Sequence, residues 1–171
     1  MDALLAPDEG PAVEVCEGRG PFIVACEHAS NRVPKALGTL GLPLRYLERH
    51  IAWDPGAAEL SVGIATNLGG DLVLQRYSRL VIDCNRDPDD VDAITPFSDA
   101  TEIPGNVGIS AEVKANRVDA LWAPFHAALE RLLDLRHKTR RPTALVTVHS
   151  FTPTYRGVAR ACDAAVATLS C

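Results

Sequence analysis

The apolar residues of this chain fall into short continuous runs and longer periodic ones, and each type predicts a different element. Phe22-Ile23-Val24-Ala25-Cys26 is a continuous run suited to a strand buried on both faces, and it ends at polar Glu27-His28-Ala29-Ser30-Asn31. Further strands are expected at Asp71-Leu72-Val73-Leu74-Gln75, Leu80-Val81-Ile82-Asp83 and Thr143-Ala144-Leu145-Val146-Thr147-Val148. The last two run directly into Cys84-Asn85-Arg86-Asp87-Pro88 and His149-Ser150. Between them Ala57, Leu60, Ile64 and Leu68 recur at helical spacing, with Asp54 expected as N-cap, Pro55 in the first turn and Gly69-Gly70 as the stop. A second helix is expected after a Ser110 cap, with Val118, Leu121, Trp122, Phe125, Leu129, Leu132 and Leu133 on its apolar face and a kink at Pro124.

Strands alternating with helices predict an α/β fold with a largely parallel sheet covered on both faces. Residues 91–108 combine Pro96, Pro104, Gly105 and Asn106 with acids and no sustained period, which predicts a long loop of the kind that serves as a lid. Residues 1–20 mix Pro, Gly and acids without periodicity, so they are expected to be a poorly ordered leader before a single domain over 21–171. The Ala-rich end, residues 161–171, shows little pattern and predicts neither a closing strand nor a helix.

With 171 residues, 47% hydrophobic and 23% charged, the composition suits one sizeable core. A net charge of −5 offers no global attraction to nucleic acid or anionic lipid. Asp2, Asp8 and Glu9 stand where a signal peptide needs basic residues, and no apolar run is long enough to span a bilayer, so a cytoplasmic protein is expected. Cys16, Cys26, Cys84, Cys162 and Cys171 lack the paired spacings of zinc knuckles or redox motifs and are expected to be reduced thiols, Cys26 and Cys84 inside strands.

Parallel strands present their carboxyl ends on one edge, which can bring His28 and His149 together. Neutral imidazoles suit zinc, and a catalytic zinc takes a third protein ligand, for which Asp54, Glu27 and Asn31 all qualify. A histidine at a strand end is also commonly a solvated loop residue, so neither is a ligand by position alone. Arg86 beside Asn85 can clamp a carboxylate through its planar fork, or it can pair locally with Asp83, Asp87 or Asp89. Arg79 admits the same two readings. His50 and His137 lie in charged surroundings and are expected at the surface, while His126, beside Phe125, is a core or supporting residue.

Four ordered segments carry a resemblance: Ala25-Cys26-Glu27-His28-Ala29-Ser30-Asn31-Arg32-Val33-Pro34, Tyr77-Ser78-Arg79-Leu80-Val81-Ile82-Asp83-Cys84-Asn85-Arg86, Pro124-Phe125-His126 and Val148-His149-Ser150-Phe151-Thr152-Pro153. Together they resemble the N-formylglutamate amidohydrolase family from about Phe22 to Gly157. That family is distantly similar to zinc carboxypeptidases and acylamino-acid deacylases. The resemblance implies a three-layer α/β/α fold with a mostly parallel or mixed sheet, and zinc hydrolysis of a linear amide. It implies His28, Asp54 and His149 as ligands, with Arg79, Asn85, Arg86 and His126 binding a small substrate that carries a carboxylate. The implied zinc polarises the acyl carbonyl and lowers the pKa of a water, while a carboxylate moves the proton to the leaving amine.

The chain departs from the family in two ways. It is shorter than the usual member, so a C-terminal truncation is expected from about residue 161, and the glutamate that serves related enzymes as general base lies late in their chains, beyond any match here. A second expectation is therefore a metal-containing domain that binds acylamino acids without turnover. A third is a fragment whose sheet edge is covered by another subunit in a homo-oligomer.

Overall fold

The computed structural model describes residues 3–155 and 157–167. Its strands are β1 (Val13–Cys16), β2 (Phe22–Cys26), β3 (Asp71–Gln75), β4 (Phe97–Ser98), β5 (Thr101–Glu102), β6 (Ala144–Thr147), β7 (Thr154–Tyr155) and β8 (Val158–Ala159). Its α-helices are α1 (Leu44–Leu47), α2 (Ala57–Leu68), α3 (Ala111–Arg117) and α4 (Ala123–Lys138). Among the described residues the main sheet has four strands in the order β1-β3-β2-β6. β2 lies parallel to both β3 and β6, and β1 closes the other edge antiparallel to β3. β4 with β5 and β7 with β8 form two small separate hairpins.

Strand alternation divides the core into layers. Val24, Cys26, Leu72 and Leu74 pack with Ala57 and Ala65 of α2, whereas Ile23, Ala25 and Val73 pack with Phe125, Leu129 and Leu132 of α4. The architecture is thus a mixed sheet between helices, a three-layer α/β/α fold. Arg136, buried near the end of α4, ties that layer to the sheet through Asp71 at 2.7 Å and the carbonyls of Gly20 and Phe22. No helix among the described residues is long and apolar enough to cross a membrane.

The expected strand at residues 80–83 is instead a buried turn. Leu80, Val81 and Ile82 are as buried as a central strand, within a third apolar cluster that includes Leu40, Ile51, Tyr77 and Ile103. Their backbone is satisfied without a ladder. Val81 N–H donates to Ser78 O and Asp83 N–H to Ala93 O, while Asn106 Nδ2 and Arg117 Nη1 donate to the carbonyls of Leu80 and Val81. Apolar continuity reports burial, and burial does not require strand pairing once side chains supply the hydrogen bonds.

Within the stretch expected to form a leader, residues 3–20 contribute a strand and buried contacts to the fold. β1 pairs from Val13↔Gln75 to Cys16↔Leu72, Leu4 and Ala12 are buried, and buried Glu9 accepts from the backbone N–H groups of Ala6 and Lys35. α2 is not capped by Asp54. Gly56 holds the N-cap at φ 81°, a left-handed conformation that favours glycine, with no side-chain cap. Ser110 does cap α3, accepting from Val113 N–H at 3.2 Å. Before Pro124, the expected position of a kink, the helix runs through a π turn over Val118–Trp122, and α4 starts after it with Pro124 in its first turn. Residues 91–108 are ordered around the β4–β5 hairpin, whose turn residues Asp99 and Ala100 have φ 42° and 56°. Cys26 and Cys84 are buried, Cys84 in a turn rather than a strand, and Cys16 and Cys162 are exposed. Cys171 lies outside the described residues.

Candidate metal centre

The register of the parallel strands sets the site. Ala25 pairs with Thr147, and Val148 N–H continues the ladder to Ala25 O at 3.0 Å. Counting onward puts Glu27 level with His149 and carries both histidines past the carboxyl ends of adjacent strands. Asp54 joins them from the segment before α2, where its N–H donates to His28 O at 3.0 Å. Released from capping, its carboxylate faces the histidines. Ligand atoms of His28, Asp54 and His149 lie within 4.8 Å of one another.

Asp54 Oδ2 is the focus, at 3.3 Å from His28 Nδ1, 3.1 Å from His149 Nδ1 and 3.3 Å from Ser150 N–H. On the other side of its ring, His28 Nε2 meets Asp83 Oδ1 at 2.7 Å. That short contact assigns the ring proton of neutral His28 to Nε2 and leaves a lone pair on Nδ1. Two electron-rich atoms, Nδ1 and Asp54 Oδ2, then face each other at 3.3 Å, an arrangement that needs a proton or a cation between them. Two imidazoles and a carboxylate are a donor set that fits zinc, and Asp83 is a carboxylate holding one ligand histidine in its binding tautomer.

Without a cation, the electrostatics favour a proton in that gap. Burial is the largest influence on His28 and pulls its pKa down, yet the hydrogen bonds to Asp54 and Asp83 outweigh it and the net shift is upward. Burial would raise Asp54, but its bonds to His149 and His28, with the Arg79 charge, hold it well below the usual carboxylate range. Burial likewise opposes the shift of Asp83, which His28 and Arg79 bring down to about 2. Arg79 is drawn into the same cluster. Its Nη2 donates to Asp83 Oδ2 at 2.7 Å, and its Nη1 lies 3.3 Å from His28 Nδ1 and 3.5 Å from Asp54 Oδ1.

A cleft of about 260 Å³ adjoins the cluster, sharing Arg79 and Asp83 with it and lined also by Arg86, Thr95, Phe97 and Asp99. The β4–β5 hairpin thus forms one wall, held by Arg49 through Asp99 at 2.6 Å. Arg86 is exposed and contacts Asp90 at 3.4 Å and Asp83 at 3.8 Å, so the local pairing weighed from sequence is present, with Asp90 in place of Asp87 or Asp89. Asn85 is exposed, its backbone N–H bonded to Asp83 Oδ1. His126 stacks on Trp122 at 3.8 Å between ring centroids and approaches Cys84 O at 3.0 Å, on the α4 side of the same turn. Asn31 is engaged elsewhere, donating to Leu47 O. His50, half-exposed, lies 3.5 Å from Asp99, and His137 is exposed.

Sequence reasoning missed the part played by Asp83. It was read only as a neighbour for Arg86, whereas the buried turn folds it back onto His28. The signal available was the acid at the boundary between an apolar run and a polar segment, and a strand at that position would have aimed it elsewhere.

A model described as N-formylglutamate amidohydrolase matches residues 20–170. The chain is similar to an N-formylglutamate deformylase from Pseudomonas putida, 30% identical over 128 residues, which cover 69% of this chain and 47% of that protein. It is also similar to the crystal structure of a gene product from Agrobacterium tumefaciens, with a TM-score of 0.90 and 39% identity over 92% of this chain and 63% of the other. The chain therefore spans about half the length of the curated relative it matches.

Proposed function

The chain belongs to the N-formylglutamate amidohydrolase family, and from that premise we propose that it is a zinc-dependent hydrolase of N-formylglutamate or a related N-acyl acidic amino acid. The observation that supports this most strongly is the convergence of His28, Asp54 and His149 beside a cleft that two guanidinium groups line. When bound there, a divalent ion supplies Lewis-acid polarisation of an amide carbonyl and a charge that lowers the pKa of nearby water.

The chain's own residues do the rest. Asp83 keeps the His28 proton on Nε2, so Nδ1 presents its lone pair to the site. Arg86 at the cleft wall receives the substrate carboxylate through paired N–H donors, and its loose pairing with Asp90 is exchanged for that contact. Arg79, bridging Asp83 and Asp54, neutralises the buried acids and sets the depth to which an anionic substrate enters. Phe97, carried by the β4–β5 hairpin, lines the same cleft.

A second reading, binding without turnover, is favoured by a specific feature. Asp54 and Asp83 are both committed to histidines and to Arg79, so neither is free to carry a proton to a leaving amine. One set of measurements separates the readings: zinc content of the purified chain, titration with N-acetylglutamate, and formate release from N-formylglutamate. Zinc with binding and formate release supports the hydrolase, and zinc with binding alone supports the second reading. A chain that takes up no zinc fails both. In the same titration Arg86→Lys should weaken binding by about 1.5 kcal/mol, the low end for a hydrogen bond to a charged group, because the planar fork is lost while charge is kept. Equal affinities would return Arg86 to a surface pairing role.

A further inference from the structure

Glu27 is a buried acid that the proposed chemistry does not use. It is 5% exposed, and its Oε2 has no hydrogen-bond partner. A buried carboxylate oxygen without a donor is costly, and in a folded protein such an atom calls for a reason. The strand register supplies a neighbour: Glu27 Oε2 lies 3.5 Å from His149 Nε2. It therefore faces the ring nitrogen that does not point at Asp54.

The tautomers of His149 explain the contact. If Nδ1 carries the proton and donates it to Asp54, Nε2 offers only a lone pair, which Glu27 cannot use. If Nδ1 bonds a cation, the proton must sit on Nε2, and a carboxylate facing that nitrogen becomes its acceptor. We propose that Glu27 is a positioning residue for a metal centre, accepting the Nε2–H of His149 and so fixing the ring with Nδ1 toward the ion. Glu27 then does for His149 what Asp83 does for His28, and each ligand histidine is backed by its own buried carboxylate.

The same geometry separates this role from two others. A general base must reach the reacting atoms, and the contact of Glu27 is with the His149 nitrogen that does not face Asp54. A metal ligand must join the converging donor atoms, and those within 4.8 Å of one another belong to His28, Asp54 and His149.

This inference rests on the metal reading, and the test keeps their failures apart. Cobalt(II) is titrated into wild type, Glu27→Gln and Glu27→Ala, reading affinity and the visible absorption that reports coordination number. Wild type should bind cobalt. Glu27→Ala should bind about 10- to 100-fold more weakly, the usual range for a lost outer partner, with an unchanged absorption envelope. Glu27→Gln, which keeps volume and one acceptor oxygen, should recover part of the loss. Wild type without affinity would sink the metal reading and this one with it. Wild type that binds while Glu27→Ala binds equally well would overturn only the role of Glu27, and so would a changed envelope, which would make it a ligand. If Glu27→Ala does not fold, the His149 Nε2–H proton resonance of the zinc-loaded protein decides. It should move upfield in Glu27→Gln, because an amide oxygen is a weaker acceptor, and an unmoved resonance overturns the assignment.

Discussion

The two histidines of the centre stand on neighbouring strands but in different surroundings. His28 follows β2, a strand paired on both sides, and is 2% exposed between Asp54 and Asp83. His149 follows β6, an edge strand among the described residues, and its side chain is 32% exposed with a hydrogen bond to Asp54. One half of the site is held rigid by the fold; among the described residues the other has a scaffold on one side only. Preorganisation comes from packing and second contacts rather than from strand ends as such. His28 is consequently both a structural and a chemical residue, whereas His149 is chiefly chemical.

The largest expected effect tests that distinction. Removing His28 takes from buried Asp54 and Asp83 the partner they share most closely and leaves Arg79 as the main charge that reaches both. His28→Ala should therefore cost about 3 kcal/mol of stability in chelator, the low end for breaking a buried charged pair, as well as zinc binding. His149→Ala should abolish zinc binding too, yet shift stability by less than about 1 kcal/mol, as for a partly exposed contact. Urea melts of both variants, with zinc content measured alongside, check this. Equal stability losses would erase the contrast between the two halves.

A smaller effect concerns Asp83, the contact that makes the His28 half rigid. Its folded pKa of about 2 lies below the ordinary carboxylate value, so it contributes stability that is full above that ordinary value and is lost as pH falls from about 4 toward 2. His28 has the opposite sign. Its raised pKa contributes stability that is full below the ordinary histidine value and is lost as pH rises through the folded value. The chelated protein should thus be stabilised by this pair in a window between the two, and zinc should take over above it, because the ion needs a neutral imidazole. Asp83→Asn should flatten the acid limb of a stability-against-pH curve and weaken zinc binding about 10-fold or more. An acid limb of unchanged steepness would mean that other carboxylates control it.

The contrast also explains what the sequence could convey. The runs at residues 22–26 and 144–147 were legible because continuous apolar residues bounded by polar ones predict strands, and parallel order then brings His28 and His149 to one edge. Leu80, Val81 and Ile82 show the same run, but the carbonyls of Leu80 and Val81 bond to Asn106 and Arg117, residues distant in sequence, which no local pattern announces. The position of Asp83 against His28 depends on that turn and was hidden for the same reason. Asp54 before an apolar periodic segment reads as a cap by local rules; Gly56 takes the cap position and frees the carboxylate for the site. β1 was missed because Val13-Glu14-Val15-Cys16 is a short, half-exposed edge strand within a stretch of Pro and Gly.

The smallest expected effect bears on whether the β6 edge is as open as the described residues show it. Ile23 and Leu145 are register partners on adjacent strands, yet Ile23 is fully buried and Leu145 is 47% exposed. If β6 is an open edge, Leu145→Ala removes little buried surface and should change stability by about 0.5 kcal/mol or less, against about 2–5 kcal/mol for Ile23→Ala. Parallel strands are normally covered on both faces, so a large cost at Leu145 would mean that further polypeptide lies over it. Repeating the melts across a hundredfold range of protein concentration identifies the source. A midpoint that rises with concentration assigns the cover to a second chain, since association stabilises by mass action. A midpoint that stays fixed, together with a small Leu145→Ala effect, leaves His149 on an open edge and makes its carboxylate partner the main restraint on that half of the site.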